Sequence, residues 1–325
     1  GARPDEIYFT SGGSESDNWA IKSFSRSIRK KRMGASCHII TTSIEHNAVL
    51  NSCRTLESEG FTVTYLPCDK YGFIHPETLQ AAIRDDTILI SVMAANNEVG
   101  SIQPLKAIGQ IARRHQIVFH TDAVQAYGHI PINVNECMID MLSMSAHKLH
   151  GPKGVGFLYI RNGLELPSYI DGGSQENGHR AGTSNVPGIV GLGKACEIAA
   201  RNMQKNINSM TRLRNRLIYQ IRQGLPNAVL TGSEQMRLPN NVSFCFPGVE
   251  SAQLLSILDS HGICASAGSA CSTGAAGPSH VLIAMGIDYN LAGGSLRLTL
   301  SGENTMQEVD FVAETVIKAV KRLSI

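Results

Sequence analysis

Residues 141–160 read MLSMSAHKLHGPKGVGFLYI and place a lysine-bearing turn between two short β-rich runs. Outward from this stretch, such runs alternate with helical patterns through the first half of the chain. The runs are EIYFT (6–10), HIITTS (38–43), FTVTYLP (61–67), TILISVMAA (87–95), IVFHTDA (117–123), MLSMSA (141–146) and VGFLYI (155–160). This alternation predicts an α/β fold with a mainly parallel sheet, whose ligands gather at the carboxyl ends of the strands.

The second half of the chain predicts a smaller α+β unit. From Ile189 to Ile221, apolar residues recur every three to four positions, which indicates one long helix or a broken pair. The later patterns are a strand at NNVSFCF (240–246), a helix at 251–262, a strand at GSLRLTL (294–300) and a final helix from Met306. We predict a large domain over 1–205 and a small domain over 206–325.

Length and composition exclude several classes of protein. The 325 residues, 42% of them hydrophobic and 17% charged, are typical of a folded soluble protein of two domains. A formal charge of +2 disfavours nucleic acid as a partner, and no apolar stretch reaches the roughly 18 residues of a membrane helix. The eight cysteines are scattered without a Cys-x-x-Cys pair, so we expect no metal site and no disulfide framework. We expect an intracellular protein without membrane partners.

Glycines and hydroxyl residues, TSGGSESDN (10–18), follow the first strand run directly. Backbone N–H groups at such a helix start attract an anion, and the helix dipole favours negative charge there. The pattern predicts a phosphate at Gly13 and Ser14. The alternative is a capped helix without a ligand, with Ser14 or Ser16 as its N-cap.

Polar residues also follow two later strand runs. Asp122 and Gln125 end IVFHTDAVQ, where a carboxylate can hold a proton on a ring nitrogen and an amide can bond a nearby oxygen. Asn97 and Glu98, in MAANNEVG, indicate the same kind of site. The alternatives are an N-cap at Asp122 and plain turn residues at Asn97 and Glu98.

Lys148 follows the strand run MLSMSA, in the company of Ser145 and His147. A lysine at a strand end can be desolvated, which lowers its pKa and suits it to form a Schiff base. Most lysines only solubilise the surface. The predicted anion site and the strand-end Asp122 favour the functional interpretation.

Two residues of the second half have unusual surroundings. Cys271 lies among Gly, Ser and Ala residues from Ala265 to His280, a setting typical of a flexible arm that carries an accessible thiol. The alternative is a buried structural cysteine, like Cys245 in SFCFP. Arg297, in an apolar strand, can clamp a carboxylate if it faces a cleft, and otherwise snorkels or forms an ion pair.

Taken in order, these motifs resemble those of pyridoxal-phosphate cysteine desulfurases of the NifS/IscS type, in the class V aminotransferase family. The matching motifs are TSGGSESDN, SIEHNAVL, NNEVG, HTDAVQA, SAHKLHGPKG, HRAGTSNVPGIVGLG, GSACSTGAAGPSHVL and GSLRLTLS. The resemblance implies the fold type I of pyridoxal-phosphate transferases, with a mainly parallel seven-stranded sheet in the large domain. It also implies a homodimer whose active sites take residues from both subunits.

The resemblance further implies pyridoxal 5'-phosphate as the cofactor, with Lys148 forming its Schiff base. His46 would stack on the ring and Asp122 would pair with the ring nitrogen. The residues that the resemblance assigns to the cofactor are Gly13, Ser14, His46, Asn97, Asp122, Gln125, Ser145, His147, Lys148 and Thr183, the last from the partner subunit.

The implied reaction takes sulfur from L-cysteine and leaves L-alanine. Arg297 and Asn97 would bind the substrate, and Lys148 or His46 would accept its α-proton. Cys271 would attack the substrate sulfur and hold it as a persulfide. An acceptor protein, such as an iron–sulfur scaffold, would then receive the sulfur in the cytoplasm.

Other functions share parts of this pattern. A selenocysteine lyase or an aminotransferase would also use Asp122 and Lys148, without the same need for the thiol. Family members carry an N-terminal segment before the strand that here starts at Glu6, and we expect this chain to lack it. A non-catalytic desulfurase-like partner is therefore a further alternative.

Overall fold

The computed structural model describes residues 1–268 and 277–324 of the chain. They form two compact units. The first contains Gly1–Pro67, Ile74–Ala95 and Gln103–Arg201, and the second contains Cys68–Phe73, Asn96–Ile102 and Asn202–Ile325. Each unit has its own sheet and its own apolar core.

The first unit is built on a seven-stranded sheet. Its strands are β1 (Ile7–Thr10), β2 (His38–Thr42), β3 (Thr62–Leu66), β4 (Thr87–Ser91), β5 (Val118–Asp122), β6 (Met141–Ser145) and β7 (Gly156–Ile160). The strand order is β1-β7-β6-β5-β4-β2-β3, and only the pairings of β7 with β1 and β6 are antiparallel. Each strand falls within a predicted run, so the mainly parallel α/β fold is confirmed.

Helices connect the strands of this sheet. They are α1 (Gly13–Asn18), α2 (Phe24–Lys31), α3 (Asn47–Ser58), α4 (Pro76–Ala82) and α5 (Leu105–Arg114). A π-helical turn, Trp19–Ser23, joins α1 to α2, and a 3-10 turn, Ala146–Leu149, follows β6. In α5, for example, apolar residues such as Ile108 and Ile111 recur at helical spacing and are buried. This helix therefore has an apolar face that covers the sheet.

Helix α6 runs without a break from Val186 to Gly224. The two compact units divide within it, between Arg201 and Asn202. The single-helix alternative of the sequence analysis is thus confirmed, whereas the domain boundary at 205/206 stays a prediction.

The second unit contains a three-stranded sheet of order β10-β9-β8. Its elements are β8 (Val229–Leu230), β9 (Asn241–Cys245), α7 (Ser251–Ser260), α8 (His280–Ala284), α9 (Tyr289–Ala292), β10 (Ser295–Thr299) and α10 (Met306–Leu323). The core includes stacked Phe244 and Phe246, and Thr305 with Glu308 forms a capping box at the start of α10. No helix in the described ranges is both long enough and apolar enough to cross a membrane.

Candidate active site

Two parallel strands of the first unit carry candidate residues to one edge of the sheet. Strand β5 ends at Asp122 and its parallel neighbour β6 ends at Ser145. The carboxyl ends of parallel strands lie at the same edge, where α/β proteins bind ligands. Lys148 follows in the 3-10 turn after β6 and is half-buried. Sheet topology therefore groups the amine with the strand-end carboxyl.

A glycine turn opens helix α1 beside β6. Gly12 has φ +150°, and a Cβ added to it would lie 3.4 Å from the Ser145 hydroxyl oxygen. Gly13 lies against Val124, since an added Cβ would come within 2.5 Å of its Cγ2. Side chains are excluded from this turn, so its backbone N–H groups can approach an anion closely.

The N-cap of α1 is Gly12, which differs from the capping alternative of the sequence analysis. Neither Ser14 nor Ser16 caps the helix. The Ser16 hydroxyl instead donates to the Phe157 carbonyl at 3.0 Å, which ties α1 to β7. Within residues 1–268 and 277–324, α1 has no side-chain cap at Gly12, so the helix start fits an anion such as phosphate.

Ser145 and His147 adjoin this turn. The Ser145 Oγ and His147 Nδ1 atoms are 2.8 Å apart, within hydrogen-bond distance. Burial lowers the pKa of His147, and Lys148 and Lys153 lower it further by charge repulsion. At neutral pH the ring is therefore uncharged and can serve as a hydrogen-bond donor or acceptor.

His46 is the N-cap of α3 and its orientation is fixed by the backbone. Its Nδ1 atom accepts the N–H of Ala48 at 3.1 Å. A neutral histidine whose Nδ1 accepts must carry its proton on Nε2. His46 can thus donate a hydrogen bond from Nε2.

Asp122 is buried at the end of β5. Its Oδ1 accepts the N–H of Val124 at 2.9 Å, in a turn that does not begin a helix, so the N-cap alternative is wrong. Burial raises the pKa of Asp122, while the Val124 N–H, His46 and Lys148 act to lower it. Gln125 is half-buried in the same turn. A buried carboxyl whose ionised form is favoured by such neighbours suits a protonated ring nitrogen.

Among the buried carboxyl groups of this unit, Asp17 and Glu45 interact electrostatically with Asp122, and the sequence pattern indicated neither of them. An oxygen of Asp17 lies within 4.8 Å of a ring nitrogen of His46 and an oxygen of Asp122. Glu45 Oε1 accepts the Thr42 hydroxyl and the Met93 N–H, each at 2.8 Å, and burial raises the pKa of Glu45 to about 8. No sequence signal separates these acids from ordinary exposed ones at helix starts.

Thr183 is exposed in the loop before α6, beside a cavity of about 70 Å³ that Ser11 and Arg180 also line. The Arg180 Nε donates to Glu15 Oε1 at 2.9 Å, which fixes this loop to α1. The contact of Thr183 with the cofactor of the partner subunit, which the resemblance implies, stays a prediction.

The remaining site residues belong to the second unit. The Arg297 Nη1 atom donates to the Asn97 carbonyl at 2.6 Å, which joins two residues from distant parts of the chain. The Ser279 hydroxyl donates to buried Glu98, so Glu98 is more than a plain turn residue. Cys271 lies outside the described residues.

Comparisons with known proteins identify the family of the chain. The model of the Aminotransferase class-V family matches residues 1–312. A protein named cysteine desulfurase IscS, from Methanosarcina thermophila, is 53% identical over 99% of this chain and 79% of its own length. A solved structure described as a NifS-like protein has a TM-score of 0.91 at 39% identity, covering 99% of this chain and 84% of its own. Another, described as SspA in complex with cysteine, has a TM-score of 0.79 at 38% identity, covering 94% and 84%.

Proposed function

This chain belongs to the class-V aminotransferase family and is a cysteine desulfurase of the NifS/IscS type, and on that basis we propose that it binds pyridoxal 5'-phosphate through Lys148. One observation carries the proposal. Lys148 follows β6 directly, and the buried carboxyl of Asp122 ends the parallel neighbour β5. An amine and a carboxyl at one sheet edge match the two ends of the cofactor's reactive ring.

The residues of the first unit fit this cofactor. The Gly12–Gly13 turn admits no side chain and opens the helical run from Gly13, which suits a phosphate. Ser145 and His147 add side-chain hydrogen-bonding groups next to it. Asp122 would then pair with the ring nitrogen, and Gln125 with the ring's phenolic oxygen. His46 would cover the ring face.

Lys148 is the better candidate for the base that accepts the α-proton of L-cysteine. The bound cofactor supplies a ring that withdraws electrons from the substrate's α-carbon. In His46, Nδ1 already accepts the Ala48 N–H, so the neutral ring holds its proton on Nε2 and has no free lone pair on nitrogen. The primary amine of Lys148 has one when it is neutral.

Substrate binding and sulfur transfer involve the second unit in this proposal. Arg297 would bind the substrate carboxylate with Asn97 beside it, since a guanidinium can hold two carboxylate oxygens at once. The Cys271 thiolate would form a sulfur–sulfur bond with the substrate sulfur while the carbon–sulfur bond breaks and leaves its electrons on the carbon fragment. This fragment would then take one proton on its β-carbon and regain one on its α-carbon to become L-alanine.

We also propose a homodimer to which each subunit contributes Thr183, and a sulfur acceptor such as an iron–sulfur scaffold protein. The exposed position of Thr183 supports the first point. A cytoplasmic location is supported by the seven described cysteines, all of which are free thiols.

Absorption spectroscopy with product analysis tests the proposed function. The purified chain should have a visible absorption band that borohydride removes while fixing the cofactor to the peptide that contains Lys148. Added L-cysteine should give alanine and transferable sulfur in equal amounts. A chain that takes up no cofactor would favour a non-catalytic partner, and keto-acid products would favour an aminotransferase.

Selenocysteine lyase is the remaining alternative, and assays with each substrate alone separate it from the proposal. A desulfurase should process L-cysteine in the absence of selenocysteine. A chain that releases selenium but forms no alanine from L-cysteine would contradict the proposal.

Substitution of Gly13 by alanine should weaken cofactor binding about tenfold, because small displacements of binding groups are costly. The new Cβ would lie 2.5 Å from Val124 Cγ2, and the β-branched Val124 has little freedom to move. Equilibrium titration of the cofactor measures the effect. Gly193→Ala is a matched control, since an added Cβ there meets nothing within 4 Å. Equal affinities of the two variants would argue against a phosphate at Gly13.

A further inference from the structure

Asp17 is a buried acid that the proposed chemistry does not use. Its side chain lies in α1 and is 1% exposed. Within the described part of the chain, its Oδ1 atom has no hydrogen-bond partner. An ionised carboxylate in such a place is costly unless a positive charge compensates it.

No such compensation comes from the histidine nearest to Asp17. The His120 Nε2 atom is 3.7 Å from Asp17 Oδ1, too far for a hydrogen bond. Burial lowers the pKa of His120 to about 3, so its ring is neutral at physiological pH and the pair is not a salt bridge. Both ring nitrogens of His120 instead face hydroxyl groups, those of Ser91 and Ser143, at 2.9 Å.

The neighbouring groups have opposite effects on the pKa values of Asp17 and Asp122. Asp122 and Glu45 raise the pKa of Asp17 by charge repulsion, in addition to the larger effect of burial, and Ser143 acts to lower it. The pKa of Asp17 is accordingly well above its ordinary value. His46 and Lys148, in contrast, favour the charged form of Asp122. Two neighbouring buried acids hold one proton more easily than two negative charges.

We propose that Asp17 is a positioning residue that remains a neutral carboxylic acid beside Asp122, so that Asp122 alone presents a negative charge to the cofactor ring. The proposal rests on three observations: Asp17 is buried, its carboxylate oxygen lies within 4.8 Å of ligand atoms of His46 and Asp122, and His120 beside it is neutral. Its consequence for the cofactor depends on the proposed function. The protonation of Asp17 itself does not.

The pH dependence of stability tests the protonation. A carboxyl whose folded pKa is raised stabilises the fold at low pH and loses this contribution as pH rises, because the unfolded chain releases the proton first. Wild-type protein should therefore lose stability relative to Asp17→Asn as pH rises. The ratio of the wild-type unfolding constant to that of Asp17→Asn should grow up to about tenfold per pH unit as pH rises above about 4, the ordinary pKa of an aspartate in an unfolded chain, until Asp17 itself ionises in the fold.

Urea unfolding of the full purified chain at several pH values provides this ratio. Asp5→Asn makes the same chemical change at an exposed position and controls for the substitution itself. A ratio that is flat with pH for Asp17→Asn would overturn the proposal. This measurement does not require cofactor, so it still reports on Asp17 if the proposed function fails.

A second pair of variants tests the positioning role. Asp17→Asn keeps a neutral side chain that can donate a hydrogen bond, whereas Asp17→Leu has a similar size and cannot donate one. We expect cofactor affinity of Asp17→Asn to remain within about threefold of wild type, and that of Asp17→Leu to fall about tenfold or more. Equal affinities of the two variants would overturn the positioning role, while absence of the visible band in wild type would contradict only the proposed function.

Discussion

Replacement of Cys271 by alanine should abolish sulfide release from L-cysteine while the chain keeps its cofactor. The carbon–sulfur bond of the substrate breaks as a thiolate accepts the sulfur, and alanine at 271 removes that acceptor. We expect the rate of sulfide formation to fall by at least about 10³-fold, as is usual when a nucleophile is lost. The cofactor's visible band should not change.

Most of the other cysteines are poor substitutes for Cys271. Burial raises the pKa of Cys53 and Cys245 to about 12, so both are protonated at neutral pH. Burial also raises the pKa of Cys37, Cys137 and Cys196. Because the thiolate is the reactive form, these thiols are not expected to replace the nucleophile.

Cys264→Ala is the matched control because it removes an exposed thiol. Cys264 lies in the second unit and is only seven positions before Cys271 in the sequence. It should leave sulfide release unchanged. Mass spectrometry after exposure to L-cysteine should find one added sulfur on the Cys271 peptide of wild type and of Cys264→Ala. Continued sulfide release by Cys271→Ala would refute the assigned role.

The sheet could be predicted from the sequence because its strands are short apolar runs between helical segments. The positions of Asp122 and Ser145 at strand ends could be predicted as well, since β5 and β6 end where hydrophobic residues give way to polar ones. These predictions depend only on local pattern and on the geometry of parallel sheets.

The buried acids could not be predicted in the same way. Asp17 lies in SESDN, which is hydrophilic and typical of an exposed helix start. Its burial results from packing of α1 against the sheet, which brings it near His120 and Asp122 of β5. An N-cap at Ser14 or Ser16 was likewise only an alternative at the level of the sequence, and it is wrong because Gly12 is the N-cap of α1 and Gly13 packs against Val124.

The pairing of Asn97 with Arg297 had no sequence signal either. Each residue follows or occupies a predicted strand, but the hydrogen bond between them joins positions 200 residues apart. Such a contact depends on how the second unit folds, which local patterns do not determine. Functional sites commonly break local rules in this way.

Substitution of Lys148 by alanine should remove both the covalent attachment of the cofactor and the proposed base. General-base catalysis alone contributes about 10²- to 10⁴-fold, so we expect alanine formation from L-cysteine to fall by at least about 10³-fold. Borohydride should fix no cofactor to the variant. Reduction, peptide mapping and alanine assays measure the two losses separately.

Lys148→Arg separates the effect of the reactive amine from the effect of the positive charge. Lys148 favours the ionised form of Asp122, and arginine would keep that positive charge but cannot form the covalent bond. We therefore expect Lys148→Arg to retain more bound cofactor than Lys148→Ala and to be equally inactive. Lys106→Ala, which removes an exposed lysine of α5, should behave as wild type. If Lys148→Arg still forms alanine at the wild-type rate, the reactive amine belongs to another residue.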